Sequence, residues 1–575
     1  MKLEKLHCRL LFLAGLAIII SFFLPAILLG AKNSYDIRFH VTWFISFREM
    51  IDNGVLYPRW MPDQFLGFGA PTMFFYPPLT NFFYLILDFI TFRLLPTDHL
   101  LGIAGLVMSL ISGATFYLWI KNFTDKSFAV FGSMFYAIAP YHLMIDFYGR
   151  GAMAEYAAYM FIPLIFAGIY HVIKNTTWQW ISILTLSITA LFFTHLLTAL
   201  IIAPAATIYA LLLLKDDFAA HPKAALPKLI WLSFAGITGV GIAAIYFLPA
   251  VTLMDNINLP ALQRYKPQDH WIQLSLKNPS AKNYFPFKVF LTATLYLAFA
   301  LYLYAEMLMA RKNIGQSVKK YHAIFFTGIM VPAYLLMCGM GSFVLAAPSP
   351  YSQIQFAWRV LVLVEFAMIS GALILCRNFI STAQMKRVLI ITVLTFAIVT
   401  FLQMKEIFAQ AYKNIDATPV LELRSHIARL SSDEYLPAGT TLPRDPENIA
   451  PLKEYLAQEQ AFITSGQGEI MSFEKENSLV QLSVDAASPV TITVYQFYFP
   501  GWIAQDGKGQ IFNVRPEGKD KFISFDIPAG KHEITVSRTK LPIEETGKAI
   551  SIISLLVFAI GIMTSRSFLK REKTA

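Results

Sequence analysis

"FFYPPLTNFFYLILDFITFRLLP" (residues 74–96) is the stretch on which the reading of the chain turns. It is apolar enough to be counted as a membrane crossing. Counting it would invert every loop that follows and put the basic clusters of the chain outside the cell. Its own residues argue against a crossing. Pro77 and Pro78 open it, and Asp88 and Arg93 stand near its end. That pattern suits a helix that lies in the interface or dips in from one side, packed against protein. Residues 31–98 are therefore expected to form one long outer loop with surface helices.

The rest of the composition agrees with a polytopic membrane chain. Of 575 residues, 56% are hydrophobic and only 15% are charged, with mean hydropathy +0.52, too little polar surface for a soluble protein of this size. Aromatic residues make up 15%, which suits lipid-facing helices and interfacial belts. The net charge of +10 is expected in cytoplasmic loops and does not argue for nucleic acid. Cys8, Cys338 and Cys376 each lie in or beside an expected span, which implies neither a disulfide framework nor a zinc cluster. The first apolar run, "LLFLAGLAIIISFFLPAILLG", has no small-residue cleavage site and reads as a retained helix.

Spans are expected at about 10–30, 100–120, 127–145, 156–173, 178–195, 198–214, 229–250, 289–309, 322–338, 359–376, 388–405 and 548–565. With a cytoplasmic N-terminus, every inside segment is basic. Examples are Lys121 with Lys126, Arg311 with Lys312, Arg377 with Lys386 and Arg387, and the tail from Arg566 to Lys573. The expected domains are 1–405, a transmembrane helix bundle; 406–545, a β-rich domain outside the membrane; and 546–575, a last span and cytoplasmic tail. Period-two alternation in "LVQLSVD", "VTITVYQFYF", "KFISFDI" and "HEITVSR" marks the β domain as sandwich-like, preceded by a helical stretch near 408–430. The fold class is thus mainly α, a polytopic bundle of about twelve spans with a C-terminal β domain.

Chemistry is sought among acids at the membrane boundary. Asp36 precedes an amphipathic helix over 37–53. It is either that helix's N-cap or an acid facing a cavity, able to act as a general base or metal ligand. "IDFYGRGAMAEY" (145–156) holds Asp146, Arg150 and Glu155 on the same expected face. Such residues mark a membrane boundary, or hold a divalent cation and a phosphate. Gly149 and Gly151 let backbone approach a ligand. Arg359, at the outer end of a span, snorkels or binds an anionic headgroup. Glu365, deeper in that helix, needs a partner or a polar cavity. His195 caps another outer helix end. No P-loop, GxGxxG fingerprint, HExxH or CxxC is present, which disfavours nucleotide hydrolysis and hydride transfer.

An acid just after the first helix, surface helices, and a second acidic loop after the third helix resemble the GT-C glycosyltransferases. A fuller resemblance is to bacterial membrane proteins labelled 6-pyruvoyl-tetrahydropterin synthase-related. It is carried by "YDIRFHVTWFISFREMIDNGVLYPRW", "GFGAPTMFFYPPL", "DFYGRGAMAEY", "THLLTAL", "QFAWR", "SSDEYLP" and "FYFPGWIAQDGKG" with "IPAGKHEITV". One departure is Ala357 in "QFAWR", where the pattern has Pro. Nothing in the chain resembles a pterin or zinc-histidine site.

The GT-C resemblance implies an inverting transferase that uses a polyprenyl-phosphate-linked sugar and an envelope glycan, lipid or protein acceptor. Asp36 is then the catalytic base. Arg59, Arg150, Glu155, His195 and Arg359 bind substrate, and Asp146 with Glu155 is the candidate site for a divalent cation. The implied location is the bacterial inner membrane, with both termini cytoplasmic and the β domain outside. Two other classes stay open: a transporter or flippase for a lipid-linked glycan, and a non-catalytic envelope scaffold.

Overall fold

The structure, a computed structural model, describes residues 2–32, 34–220, 222–258, 267–272, 274, 284–309, 318–340, 342–345, 350–378, 381–412, 432–440, 455 and 458–574. Ten of its helices are long and apolar enough to cross a membrane. They coincide with ten of the twelve expected spans. The other two expectations, 178–195 and 322–338, fall on the shorter apolar helices Trp178–Thr194 and His322–Met337. The helical stretch expected near 408–430 overlaps the end of the helix Thr382–Tyr412. Residues 413–431 lie outside the described residues.

The 74–96 stretch forms a helix of only 12 residues, Leu79–Ile90, ended by a tight turn. At about 1.5 Å per residue it is too short to cross roughly 30 Å of hydrocarbon. More directly, the Ala31 N–H donates to the Asp98 carbonyl oxygen at 2.9 Å, and Lys32 pairs with Asp98 at 3.6 Å. The chain therefore leaves and re-enters the bundle at one point, so Lys2–Leu29 and Thr97–Ile120 end and begin on the same face.

The other end of the bundle gathers several of the basic segments. Arg377 pairs with Asp125 at 3.1 Å, the Asn378 amide donates to the Phe123 carbonyl at 3.1 Å, and Arg387 reaches Glu306 at 3.2 Å. One helix joins the two ends. Every side chain from Leu361 to Cys376 is buried, so this helix is the central post of the bundle, apolar on all sides because it has no lipid face. Arg359 stands just before it and Arg377 in its last turn.

The third crossing is broken. Lys126–Ala137 is α-helical, Pro140 interrupts, and Tyr141–Arg150 continues as a wider π-helix. Proline lacks an N–H and disfavours helix in the residue before it, so a fresh helix N-terminus is created at membrane depth. Gly151, at φ +68°, ends the π-helix in the left-handed region.

The C-terminal region has nine antiparallel strands: β1 (Ala461–Ser465), β2 (Gly468–Glu476), β3 (Leu479–Ala486), β4 (Val490–Phe497), β5 (Trp502–Asp506), β6 (Ile511–Asn513), β7 (Arg515–Glu517), β8 (Phe522–Ile527) and β9 (Gly530–Arg538). They form a four-stranded sheet, β1-β4-β8-β7, and a five-stranded sheet, β2-β3-β9-β5-β6. Their buried faces share one core with residues 43–74 of the loop between the first two long helices. The Gln496 amide and the Phe497 N–H both donate to the Phe68 carbonyl, at 2.6 and 2.8 Å. Trp60 meets Trp502 at 5.4 Å and Phe74 meets Phe499 at 5.0 Å. Each such buried aromatic contributes about 2 kcal/mol of apolar burial, so the long loop is the mount for the β region.

Candidate active site

Three separate segments converge beside Asp36. The Asp36 N–H donates to the Arg150 carbonyl oxygen at 2.6 Å, which ties the start of the Ile37–Asp52 helix to the end of the π-helix. The Asp36 carboxylate makes no cap hydrogen bond of its own. Its position is therefore not explained by capping, the simpler of its two readings. Burial pushes its carboxyl above the ordinary carboxylate range, against the pull of Arg150, Arg359 and Arg38. The side chain still keeps partial solvent access.

Behind it is a buried ion cluster. One Arg150 guanidinium nitrogen donates to Asp146 at 2.9 Å and to Glu155 at 2.7 Å. The same Glu155 oxygen lies 3.4 Å from Arg359, and the Tyr141 hydroxyl donates to the other Glu155 oxygen at 2.9 Å. Arg359 is nine-tenths buried, and its Nε and Nη1 have no hydrogen-bond partner among the described residues. A buried guanidinium with unused donors is costly unless an anion completes it. The Phe356 ring lies under it at 5.4 Å. His195 is placed within the electrostatic reach of Glu155, Arg359 and Arg150. Its Nδ1 accepts the Thr198 N–H at 3.3 Å, which assigns the ring proton to Nε2.

Arg150 sits between Asp146 and Glu155, the two acids put forward as cation ligands. Its guanidinium bridges the two acids, Arg359 adds a second positive charge against Glu155, and no group of three or more His, Cys, Asp or Glu that could hold a metal occurs among the described residues. The arrangement does not fit a divalent cation. Arg59 is placed apart from this cluster. It donates to the Ile245 carbonyl at 2.7 Å and pairs with Glu544 at 3.6 Å, at the joint between the 31–98 loop and the last helix.

Glu365 organises the cluster from beneath. Its carboxylate accepts the N–H of Tyr141 at 2.7 Å and of His142 at 3.1 Å, and the hydroxyls of Tyr296 at 2.5 Å and Tyr159 at 3.4 Å. It thereby satisfies the fresh helix N-terminus that Pro140 creates. The His142 ring is stacked between Tyr156 and Tyr159, at 4.1 and 3.8 Å. The sequence signalled that Glu365 needs a partner, but its donors come from three other elements and no spacing announces them.

Glu434 was not among the sequence candidates, although "SSDEYLP" was noted. The structure fixes its segment through the Asn258 N–H, which donates to the Glu434 carbonyl oxygen at 3.2 Å. Asp36 is among the charges that act on Glu434, and burial raises the Glu434 carboxyl to about 7.

No protein-family model matches the chain, and no curated protein matches it. Among solved structures, the chain is similar to the arabinosyltransferase EmbB from Mycobacterium smegmatis, at 11% identity and a TM-score of 0.34, over 92% of this chain and 63% of that one. These values are too low for the likeness to bear on function, which rests on the site itself.

Proposed function

We propose that the chain is an integral membrane glycosyltransferase that moves a sugar from a polyprenyl-phosphate donor to an acceptor hydroxyl on the outer side of the membrane. The observation that supports this reading best is the tie between Asp36 and the buried ion cluster. Asp36, a partly accessible carboxylate, is bonded through its backbone N–H to Arg150, and Arg150 shares Glu155 with Arg359, a buried guanidinium with donors unused among the described residues. A base and an anion-binding group side by side are what a phosphate leaving group and an attacking hydroxyl require.

In this mechanism Asp36 takes the proton from the acceptor hydroxyl. The freed oxygen pair attacks the anomeric carbon, and the bond from that carbon to the phosphate oxygen breaks. The lipid phosphate departs from the opposite face with the bonding pair, so the configuration inverts. Inversion by single displacement follows the logic of inverting glycosidases, with phosphate as the leaving group. Arg359 takes the charge that develops on the phosphate, and Arg150 holds the acids so that they do not oppose it. A donor on a lipid carrier keeps its reactive carbon at the headgroup plane. That accounts for a base at the end of the first helix rather than at mid-membrane.

The test is to supply purified protein in lipid nanodiscs with a polyprenyl-phosphate sugar. Transfer of the sugar supports the proposal. Movement of the intact lipid-linked sugar across a vesicle bilayer without transfer overturns it in favour of a flippase, and neither activity overturns it in favour of a scaffold.

A further inference from the structure

Glu544 is buried in the first turn of the last helix, Pro542–Thr574. One of its carboxylate oxygens accepts the Leu541 N–H at 3.0 Å, which caps the helix, and also accepts the Arg538 guanidinium at the end of β9. The other oxygen lies 3.6 Å from Arg59 in the 31–98 loop. Both guanidiniums lie against the Phe74 ring, Arg538 at 4.4 Å and Arg59 at 5.3 Å. One buried acid thus joins cations from two separate elements. Without it, two like charges are left beside one ring.

The same helix supports a second point. The chain breaks between the helices Pro222–Ile242 and Ala244–Thr252, and a break leaves backbone groups in need of partners. Ser551, two turns after Glu544, supplies them. Its hydroxyl oxygen accepts the Ile245 N–H at 2.8 Å and donates to the Ile242 carbonyl at 2.8 Å. From this break the loop is held again. The Arg59 guanidinium donates to the Ile245 carbonyl at 2.7 Å, and the Tyr246 hydroxyl donates to the Phe75 carbonyl at 2.7 Å.

The stretch so held carries the helix that Asp36 opens. Tyr76 packs on Trp43 at 4.4 Å and on His40 at 5.5 Å, and the Ser46 hydroxyl donates to Asp63 at 2.7 Å. Trp43, Phe47, Trp60, Met73 and Phe74 lie in one core. The Ile37–Asp52 helix therefore has two supports. The Arg150 carbonyl holds its first residues, and the 57–76 stretch holds its body.

We infer that Glu544 is a positioning residue, and that the last helix, through Glu544 and Ser551, holds the Asp36 helix in place against the Arg150–Arg359 cluster. This inference rests on the transferase reading and extends it. Arg59, a substrate-binding candidate in the sequence, is then the loop's end of this grip. The last helix contributes to turnover as well as to anchoring the chain.

The experiment uses full-length protein in lipid nanodiscs with a polyprenyl-phosphate hexose, and reads kcat per folded molecule and donor KM. Glu544→Gln is expected to lower kcat about tenfold or more, because a small misplacement of a base is costly, while donor KM holds within about twofold. In the Asp36→Asn background the same substitution is expected to lower the residual rate no further, since Glu544 acts through Asp36. Ser551→Ala follows the same pattern by less, and serves if the variant at 544 fails to fold. Arg59→Lys, which keeps the charge but not the fork, retains more turnover than Arg59→Ala. An unchanged kcat per folded molecule in the 544 and 551 variants, with only the melting temperature lowered, overturns the positioning role and leaves the transferase reading standing. A raised donor KM with kcat held overturns it in favour of donor binding at Arg59. An undiminished further loss in the Asp36→Asn background overturns the route through Asp36. Failure of the parent to transfer the hexose overturns the transferase reading and this inference with it.

Discussion

The backbone N–H of Asp36 donates to the carbonyl oxygen of Arg150 at 2.6 Å. This one bond joins the loop after the first helix to the turn after the third, and it fixes the carboxylate against the ion cluster. Gly151 makes the approach possible. A Cβ there would lie 2.4 Å from the Ser34 hydroxyl oxygen and 2.8 Å from the Ile37 nitrogen. At φ +68° an L side chain is strained as well.

Gly151→Ala is therefore expected to push the two loops apart. Stability should fall by about 1–3 kcal/mol, and sugar transfer should fall further than the unfolding midpoint does. Thermal unfolding and initial transfer rates, measured on the same preparation, check this. Parental values for both would show that the junction does not need glycine.

Arg150 and Arg359 are expected to behave differently although they share Glu155. Arg150→Ala leaves Asp146 buried without its cation, and Glu155 with Arg359 alone, and should cost about 3–5 kcal/mol. Arg359→Ala leaves Glu155 still paired with Arg150, so folding suffers less. It removes the donors intended for phosphate, and transfer should fall about 100-fold or more. Equal destabilisation by the two substitutions would contradict the division of roles.

Glu365→Ala strands two backbone N–H groups and two tyrosine hydroxyls at membrane depth. A loss of about 3 kcal/mol or more is expected. Glu365→Gln should cost less, because one oxygen still accepts while the amide opposes the second N–H. Urea or thermal unfolding of the two variants gives the order directly. Full tolerance of alanine would mean that the π-helix does not depend on this acid.

Asp63 gives a pH-dependent test outside the membrane. Its carboxylate accepts the Ser46 hydroxyl at 2.7 Å, and burial raises its pKa from 3.8 to about 6. A raised carboxyl is easiest to bury when protonated. Its contribution to stability is thus full below the unfolded value and is lost as pH rises to about 6. Asp63→Asn should leave stability unchanged near the unfolded pKa and raise it by up to about 2 kcal/mol above the folded one. Melting curves at the two ends of that window check the sign. A variant less stable than the parent at high pH would contradict it.

That 74–96 does not cross was legible because charge breaks the apolar run at Asp88 and Arg93, and because the twelve-residue helix between turn signals is short. The strands were legible because alternation has a period of two, and β3 shows it in burial as well as in sequence. Within the site, Asp36, Arg150, Glu155, His195 and Arg359 could be found as charges at helix ends; Arg150, Glu155 and Arg359 form one ion cluster, Asp36 is tied to it by its backbone N–H, and His195 lies within its electrostatic reach. What the sequence does not carry is pairing. Arg59 carries the same type of charge in the loop after the Ile37–Asp52 helix, yet it meets Glu544. The same spacing rules say nothing of the segment around Glu434, which backbone bonds to Asn258 draw inward. The π-helix also escaped, since Pro140 announces a break but not the wider winding that follows.

The most direct measurement is the initial rate of sugar transfer from a polyprenyl-phosphate donor by the parent and by Asp36→Asn, with donor binding measured alongside. The Asp36 carboxylate caps nothing, so the variant should fold and bind donor as the parent does. Its transfer rate should fall by about 100- to 10,000-fold, the share a general base contributes. Transfer at the parental rate by the asparagine variant would contradict the account.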